Sequence, residues 1–406
     1  MKKIAISLCL IIGLVSLPQI SETIYTPALP DVAKGLKASV HAVEASLSVY
    51  FLGFAFGVFL WGGCSDLIGR RKTLLIGLTI YIISCVACLI SHRIDLLLVW
   101  RFFQAVGASV GSVITQTILR DVYEGKERSR LFATISAALS LSPAIGPVIG
   151  GLLSEDWGWR SNFAFLIALG SVLLAWAYLK LPETRPSHVE LPGKREYQNL
   201  CRRMFSSTAL WGHVLLIGAT NGILFCFYQE APFIFINQIG LSPKAYGLLG
   251  LVVASATVFS ARLTYRLAGK YSQECLISSG AFTATIGAIA LILLQQAGYF
   301  QIEGLTSVVF ALFVTFVGVG MIIPNSLSIA LKDYQAMVGT AGSIFGALYY
   351  LIISLATWGM SILHDGSALP LPLYLTLLCL LLLIGSFFIQ QTLTVEEVID
   401  QPEQSA

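Results

Sequence analysis

The ionisable residues Glu22, Arg101 and Glu230 lie within long apolar runs of this chain. Such a residue costs roughly 2.5–3.5 kcal/mol at the centre of a bilayer on insertion scales, so it normally faces a polar cavity or a partner. A carboxyl group held there can bind a proton on one side and release it on the other. Burial disfavours its charged form and brings the exchange within reach of physiological pH. Glu22 and Glu230 are therefore the proton-coupling candidates. Glu22 follows Lys3 by 19 residues, about 28 Å of helix rise, which puts it in the outer half of the first apolar run. Glu230 lies late in the seventh run, so the two acids are expected at similar depth on opposite sides of one cavity. For Arg101 there are two readings. It balances the acids or an anionic substrate group, or it is structural, bonding carbonyls of the first helix with Gln104 one turn along on the same face.

Only a lipid environment accommodates the elements that must carry these groups. Of 406 residues, 56% are hydrophobic and 12% charged, against about a quarter charged in a soluble domain. Mean hydropathy is +0.79. The net charge of +3 is spread thinly, which excludes a nucleic-acid footprint. Runs long enough to span a bilayer occur at about 4–26, 43–64, 73–91, 96–119, 131–154, 162–181, 209–236, 246–266, 275–296, 304–330, 339–363 and 370–391. The apolar stretch behind Lys2 and Lys3 imitates a signal peptide, yet no Ala-x-Ala-like site ends it, and it reads as a retained first helix. The expected class is all-α and integral to the membrane, with twelve spanning helices.

Alternate connections differ in charge. Nineteen of the 25 Lys and Arg fall on the side of the N-terminus and five on the other, with Arg101 inside a span. By the positive-inside rule both termini face the cytoplasm. The longest polar connection divides six helices from six. This gives an N-terminal bundle (1–181), a cytoplasmic linker (182–208), a C-terminal bundle (209–391) and a cytoplasmic tail (392–406). Two homologous halves are a common transporter plan.

The eight cysteines lie mostly in apolar runs. Cys85 and Cys88 have a zinc-like spacing but no further ligands nearby, so no metal site and no disulfide framework is expected. No cofactor is implied. Gly-x-x-x-x-Gly-Lys-Ser/Thr does not occur, so the energy would come from an ion gradient and not from ATP.

The connection after the second run reads Gly62-Gly63-Cys64-Ser65-Asp66-Leu67-Ile68-Gly69-Arg70-Arg71-Lys72. It resembles the Gly-x-x-x-Asp-Arg-x-Gly-Arg-Arg/Lys signature of the major facilitator superfamily, with Leu67 where the family has Arg. Gly62 and Gly69 suit a tight, close-packed turn. Asp66 is placed to meet the positive end of a facing helix, and Arg70 to pair with Asp121 of the Arg120-Asp121 element. Gly62, Asp66, Gly69, Arg70, Arg71 and Asp121 would form a latch that closes the cytoplasmic side.

Three further stretches follow in the family's order: Arg101-x-x-Gln104-x-x-Gly107; Pro143-Ala144-Ile145-Gly146-Pro147-Val148-Ile149-Gly150-Gly151; and Trp157-Gly158-Trp159-Arg160. The second resembles the Gly/Pro-rich signature of antiporters. It implies that Pro143, Gly146, Pro147, Gly150 and Gly151 pack helix 5 closely against helix 8 and discourage leak. Tyr25-x-Pro27-Ala28-Leu29-Pro30 and Pro182-Glu183-Thr184-Arg185 are similar to the Bcr/CflA (EmrD-like) drug-efflux branch. That branch often carries an acid four residues before the first Pro of helix 1. Here the position is Thr23, with Glu22 one residue earlier, about 100° around the helix.

The resemblance implies a monomeric proton-coupled exporter of hydrophobic or amphipathic compounds in the bacterial inner membrane, working by alternating access without enzymatic chemistry. Tyr25, Phe225, Tyr228 and Tyr349, with Phe54, Phe227 and Tyr350, are candidates for its substrate pocket. A dedicated exporter of one metabolite or siderophore is the alternative. A membrane sensor or enzyme fits least, because the histidines are scattered and no signalling domain follows Thr392.

Overall fold

A computed structural model describes residues 6–186 and 193–399, and every regular element among them is helical. The first span is broken, not continuous. Helix α1 (Leu8–Thr23) gives way to one 3-10 turn (Thr26–Ala28) and a short α2 (Leu29–Leu36). The break follows from Pro27 and Pro30, whose rings remove two backbone donors and clash with the preceding turn. It carries the path to Leu36, ten residues beyond the expected 26.

The rest of the N-terminal half is α3 (Val40–Ile68), α4 (Arg70–Leu89), α5 (Ile94–Val122), α6 (Gly125–Trp157) and α7 (Arg160–Lys180). Ser39 starts α3 by accepting a hydrogen bond from the Ala42 N–H. Gly69, at φ +97°, ends it in a conformation that a side chain would strain. Within the expected linker, α8 (Lys194–Ser206) is an amphipathic helix and not a loop. It buries Leu200 and Met204 against Leu210, Val214, Tyr334 and Phe345 of the second half.

That half consists of α9 (Thr208–Pro232), which runs into a π turn (Phe233–Gln238), then α10 (Pro243–Leu248), α11 (Gly250–Leu267), α12 (Gln273–Gln296), α13 (Leu305–Ala330), α14 (Val338–Leu363) and α15 (Pro370–Ile399). Serines 207, 242 and 272 cap α9, α10 and α12. The expected tail from 392 begins as the end of α15, and residues beyond 399 lie outside the described ones.

Eleven of these passes are long and apolar enough to cross a membrane. Helix α6, with 33 residues, makes the twelfth. Large apolar side chains such as Phe56, Phe59, Leu179, Phe310 and Leu355 stand half exposed or more on the outer faces. In water such a surface would aggregate; facing lipid tails it is at home.

The two six-helix halves meet along two seams. One is α3 against α14, marked from end to end by His41 with Ser361, Ser48 with Ser354 and Gly62 with Ser343. The other is α6 against α10 and α11. In a six-plus-six repeat helix 2 matches helix 8 and helix 5 matches helix 11, so each seam is the image of the other.

Candidate functional site

The interior of the N-terminal half holds the first constellation. Arg101, on α5, is fully buried. Its Nη1 donates to Gln104 Oε1 at 2.7 Å, and Gln104 Nε2 donates to Cys85 Sγ at 3.0 Å. The guanidinium carbon sits 4.3 Å from the centre of the Tyr50 ring and 5.0 Å from that of Tyr25. Two aromatic faces thus flank the cation, an arrangement worth about 2 kcal/mol or more when desolvated. The expected bond to carbonyls of the first helix is not what holds it, because the break after α1 offers the Tyr25 ring instead. Cys85 and Cys88 are buried free thiols.

Glu22 lies in the last turn of α1, buried, and neither carboxylate oxygen has a hydrogen-bond partner. A buried, unbonded carboxyl is a costly feature that folding alone would remove. Arg101 is the cation that acts on it, and its own charge reaches Tyr349 and Tyr350 of the other half. Glu22 is therefore placed where both halves can read its charge.

The aromatic candidates fall into three groups. Tyr25 stays within the N-terminal half, 5.5 Å from Phe163. Phe54, Tyr350 and Tyr349 form a stack across the α3–α14 seam, with centroids 4.3 and 4.7 Å apart. Phe225, Tyr228 and Phe227 follow one another along α9, and the Tyr228 hydroxyl donates to the Pro143 carbonyl of α6 at 3.2 Å. Phe51, 4.4 Å from Phe225, joins the second group to the third. Sequence reasoning passed over Phe51, although its place one helical turn before Phe54–Ala55 was visible.

Glu230 does not share a site with Glu22. It lies in a second cluster at one end of the α3–α14 seam. His364 Nδ1 is 2.8 and 3.0 Å from its two oxygens and 3.7 Å from Glu44 Oε1. Glu44 and Glu230 are fully buried. Neither Glu44 nor His364 stood out in the sequence. Glu44 is the second residue of the run starting at 43, and His364 follows the run ending at 363, positions where polar residues are ordinary.

At the opposite end of the molecule, Arg70 is buried and gathers acids. Its Nε donates to Asp121 Oδ2 at 2.9 Å, and its Nη1 bonds Asp66 Oδ1 at 2.5 Å and Ser65 Oγ at 3.2 Å. Asp66 thus pairs with Arg70 and does not face a helix end. The acid on a helix end is Glu183: its Oε1 accepts the Arg70 N–H at 2.8 Å and its Oε2 the Arg71 N–H at 3.3 Å, at the start of α4. Arg71 Nη2 donates to the Tyr178 carbonyl at 2.6 Å. Gly62 is not part of the turn. It lies inside α3, where an added Cβ would come within 3.1 Å of Ser343 in the other half.

Helix α6 is packed on both sides by its glycines. A Cβ on Gly146 would strike the Thr23 hydroxyl, and one on Gly150 the Ile24 carbonyl. A Cβ on Gly151 would strike the Pro243 carbonyl, and Gly247 of α10 is equally close to the Pro147 carbonyl. The expected approach to helix 8 is present through Gly151. Gly146 and Gly150 serve a second approach, to helix 1. Pro143 and Pro147 remain inside a helix that continues unbroken.

The sequence pattern of the Major Facilitator Superfamily matches residues 11–357. An uncharacterized transporter of Rickettsia bellii is 36% identical over 364 residues, 88% of this chain and 90% of the relative. Multidrug resistance protein D of Escherichia coli is 28% identical, covering 84% of each chain. A chloramphenicol resistance protein of Pseudomonas aeruginosa is 28% identical over 88% of this chain and 84% of its own. Among solved structures, a D-xylose-proton symporter superimposes with a TM-score of 0.78 at 16% identity, covering 94% of this chain and 96% of that one.

Proposed function

The chain belongs to the major facilitator superfamily, and we propose that this member uses Glu22 to couple proton entry to the export of hydrophobic or amphipathic compounds. As a family member it is a multi-pass membrane transporter, a secondary carrier and not an enzyme, whose two six-helix halves give access to either side in turn.

The observation that carries the coupling reading is the buried Glu22 carboxyl, without a hydrogen-bond partner, facing Arg101 within its own half and acting on Tyr349 and Tyr350 of the other. Protonation cancels its charge and leaves the Arg101 charge unbalanced. The change is felt at the seam between the halves. Arg101, held by Gln104 and two rings, is the fixed counter-charge. Tyr25, Phe225, Tyr228 and Tyr349 would supply the apolar, aromatic surface that a lipophilic substrate needs.

We place the protein in the bacterial inner membrane as a monomer with both termini cytoplasmic, on the strength of its charge bias and its bacterial relatives. The moving bodies would be 1–181 and 209–391, tied by the cytoplasmic segment 182–208, with 392–406 as the tail. Arg70, with Asp66, Asp121 and Glu183, would then latch the cytoplasmic end of the N-terminal half. The substrate class rests on relatives named for resistance to several drugs, to chloramphenicol and to bicyclomycin.

Purified protein in liposomes with an imposed pH gradient tests this reading. A panel of lipophilic cations, neutral antibiotics and metabolites is added while proton flux is followed. Proton movement evoked by several unrelated apolar compounds is expected. A response to one metabolite alone would replace drug export with a dedicated pathway.

A further inference from the structure

The two halves are joined at one end of the α3–α14 seam by a cluster that the coupling residue does not touch. Glu44 comes from the first turns of α3, in the N-terminal half. Glu230 comes from the last turn of α9, and His364 from the residue after α14, both in the C-terminal half. The imidazole bonds both oxygens of Glu230, while its Nδ1 stands 3.7 Å from Glu44 Oε1. Glu44 has no hydrogen-bond partner at either oxygen.

Among the described residues, the titratable groups around the cluster come from α3, α9, α15 and the chain after α14. Helix α3 presents Glu44 and His41, the latter bonded through Nδ1 to the Ser361 carbonyl at 2.8 Å. Helix α9 presents Glu230 and Cys226, α15 presents Tyr374 by way of Cys226, and the chain after α14 presents His364 and the exposed Asp365. None of these is a Lys or Arg. Two buried carboxylates therefore confront each other across the halves with one imidazole between them. With the imidazole neutral and both acids ionised, the cluster would carry two uncompensated negative charges in a buried space, which no closed packing tolerates.

We propose that Glu44, Glu230 and His364 form a second proton-binding site that locks the two halves together when loaded and releases them when it empties. The lock holds one proton on the imidazole and one on the carboxyl pair, leaving the cluster neutral overall. The His364 bond to Glu230 keeps the imidazole charged to higher pH than an ordinary histidine. Loss of the carboxyl proton leaves two ionised carboxylates on opposing halves, which one imidazolium cannot balance, and pushes them apart. The sign follows: low pH closes this end and high pH opens it. Each proton released changes the closed-to-open ratio about tenfold per pH unit. This inference rests on the transporter reading, but its test needs no substrate.

The test is a distance measurement across that end in the full chain, reconstituted in lipid. Spin labels are carried on non-canonical residues at Lys34 in α2 and Asn237 in the π turn, both exposed. The expected result is a short distance near pH 5 that gives way to a longer one near pH 8.5. Glu44→Gln, which mimics the loaded acid, keeps the short distance at both. His364→Gln, which removes the cation, moves the opening to lower pH. A Glu44→Gln protein that opens like the parent overturns the proposal. So does a parent protein that a chelator opens near pH 5 and Mn2+ or Zn2+ closes near pH 8.5, since the ligand would then be a divalent cation. Gradient-driven accumulation at the parent rate by Glu22→Gln protein, with the pH-dependent distance intact, would sink the transport mechanism and leave the lock standing.

Discussion

Glu183 illustrates how much a single residue carries that its motif does not announce. It belongs to the Pro182-Glu183-Thr184-Arg185 stretch, which marked a branch in the sequence but suggested no role. Although partial burial pushes its carboxyl upward, four backbone N–H groups, those of Arg185, Arg70, Thr184 and Arg71, outweigh this and hold it below the usual carboxylate range. A group depressed on folding contributes stability above its unfolded pKa and loses it as pH falls through the folded one. Its carboxylate is largely exposed, so solvent screening limits the gain. We expect Glu183→Gln to lower thermal stability in detergent by about 0.3–1 kcal/mol at neutral pH and low salt. The difference from the parent should vanish on acidification below the carboxylate range. A difference that persists in acid would show that packing, not charge, holds the cap. Arg70 and Asp121 were legible because their signature has fixed spacing. Glu44 and His364 were not, because polar residues at the ends of apolar runs are commonplace and only the tertiary fold brings these two within 4 Å.

At the scale of elements, helix α6 is where packing bears most on function. Its glycines face two neighbours with different duties. Gly150 meets Ile24 within its own half, whereas Gly151 meets Pro243 in the other. Adding a methyl group into backbone contact costs about 1–3 kcal/mol wherever it falls, but the consequence differs. Gly150→Ala is expected to lower the unfolding temperature and the yield of folded protein. Gly151→Ala is expected to fold, since a rigid-body shift of the halves relieves the clash, and to leak protons in liposomes without substrate. Equal stability loss and no leak from Gly151→Ala would count against α6 as the seal. Hydropathy located all twelve spans, because twenty apolar residues in a row have few other uses. It could not show the broken first span, since Pro27 and Pro30 decide that locally, nor the helical linker, whose apolar stripe at Leu200 and Met204 makes sense only against the second half.

The whole molecule is two similar halves joined by two mirrored seams, α3 with α14 and α6 with α10 and α11. An interface made of small residues, hydroxyl-to-carbonyl bonds and stacked rings is adapted to come apart and re-form. The charged groups are divided along it: Arg70 and its acids at one end, Glu44, Glu230 and His364 at the other, and Glu22 with Arg101 inside. The six-plus-six plan was readable from the charged connection in mid-chain. The separation of Glu22 from Glu230 was not, because helix rise gives depth but not the face on which a side chain emerges.

The central claim is that Glu22 couples substrate export to proton entry, and its most direct test compares two kinds of flux in the same liposomes. With Glu22→Gln, exchange of labelled for unlabelled substrate at equal pH should continue, because it needs no proton. Accumulation driven by an imposed pH gradient should be lost. Gradient-driven accumulation at the parent rate by Glu22→Gln protein would contradict the account and move proton coupling elsewhere in the chain.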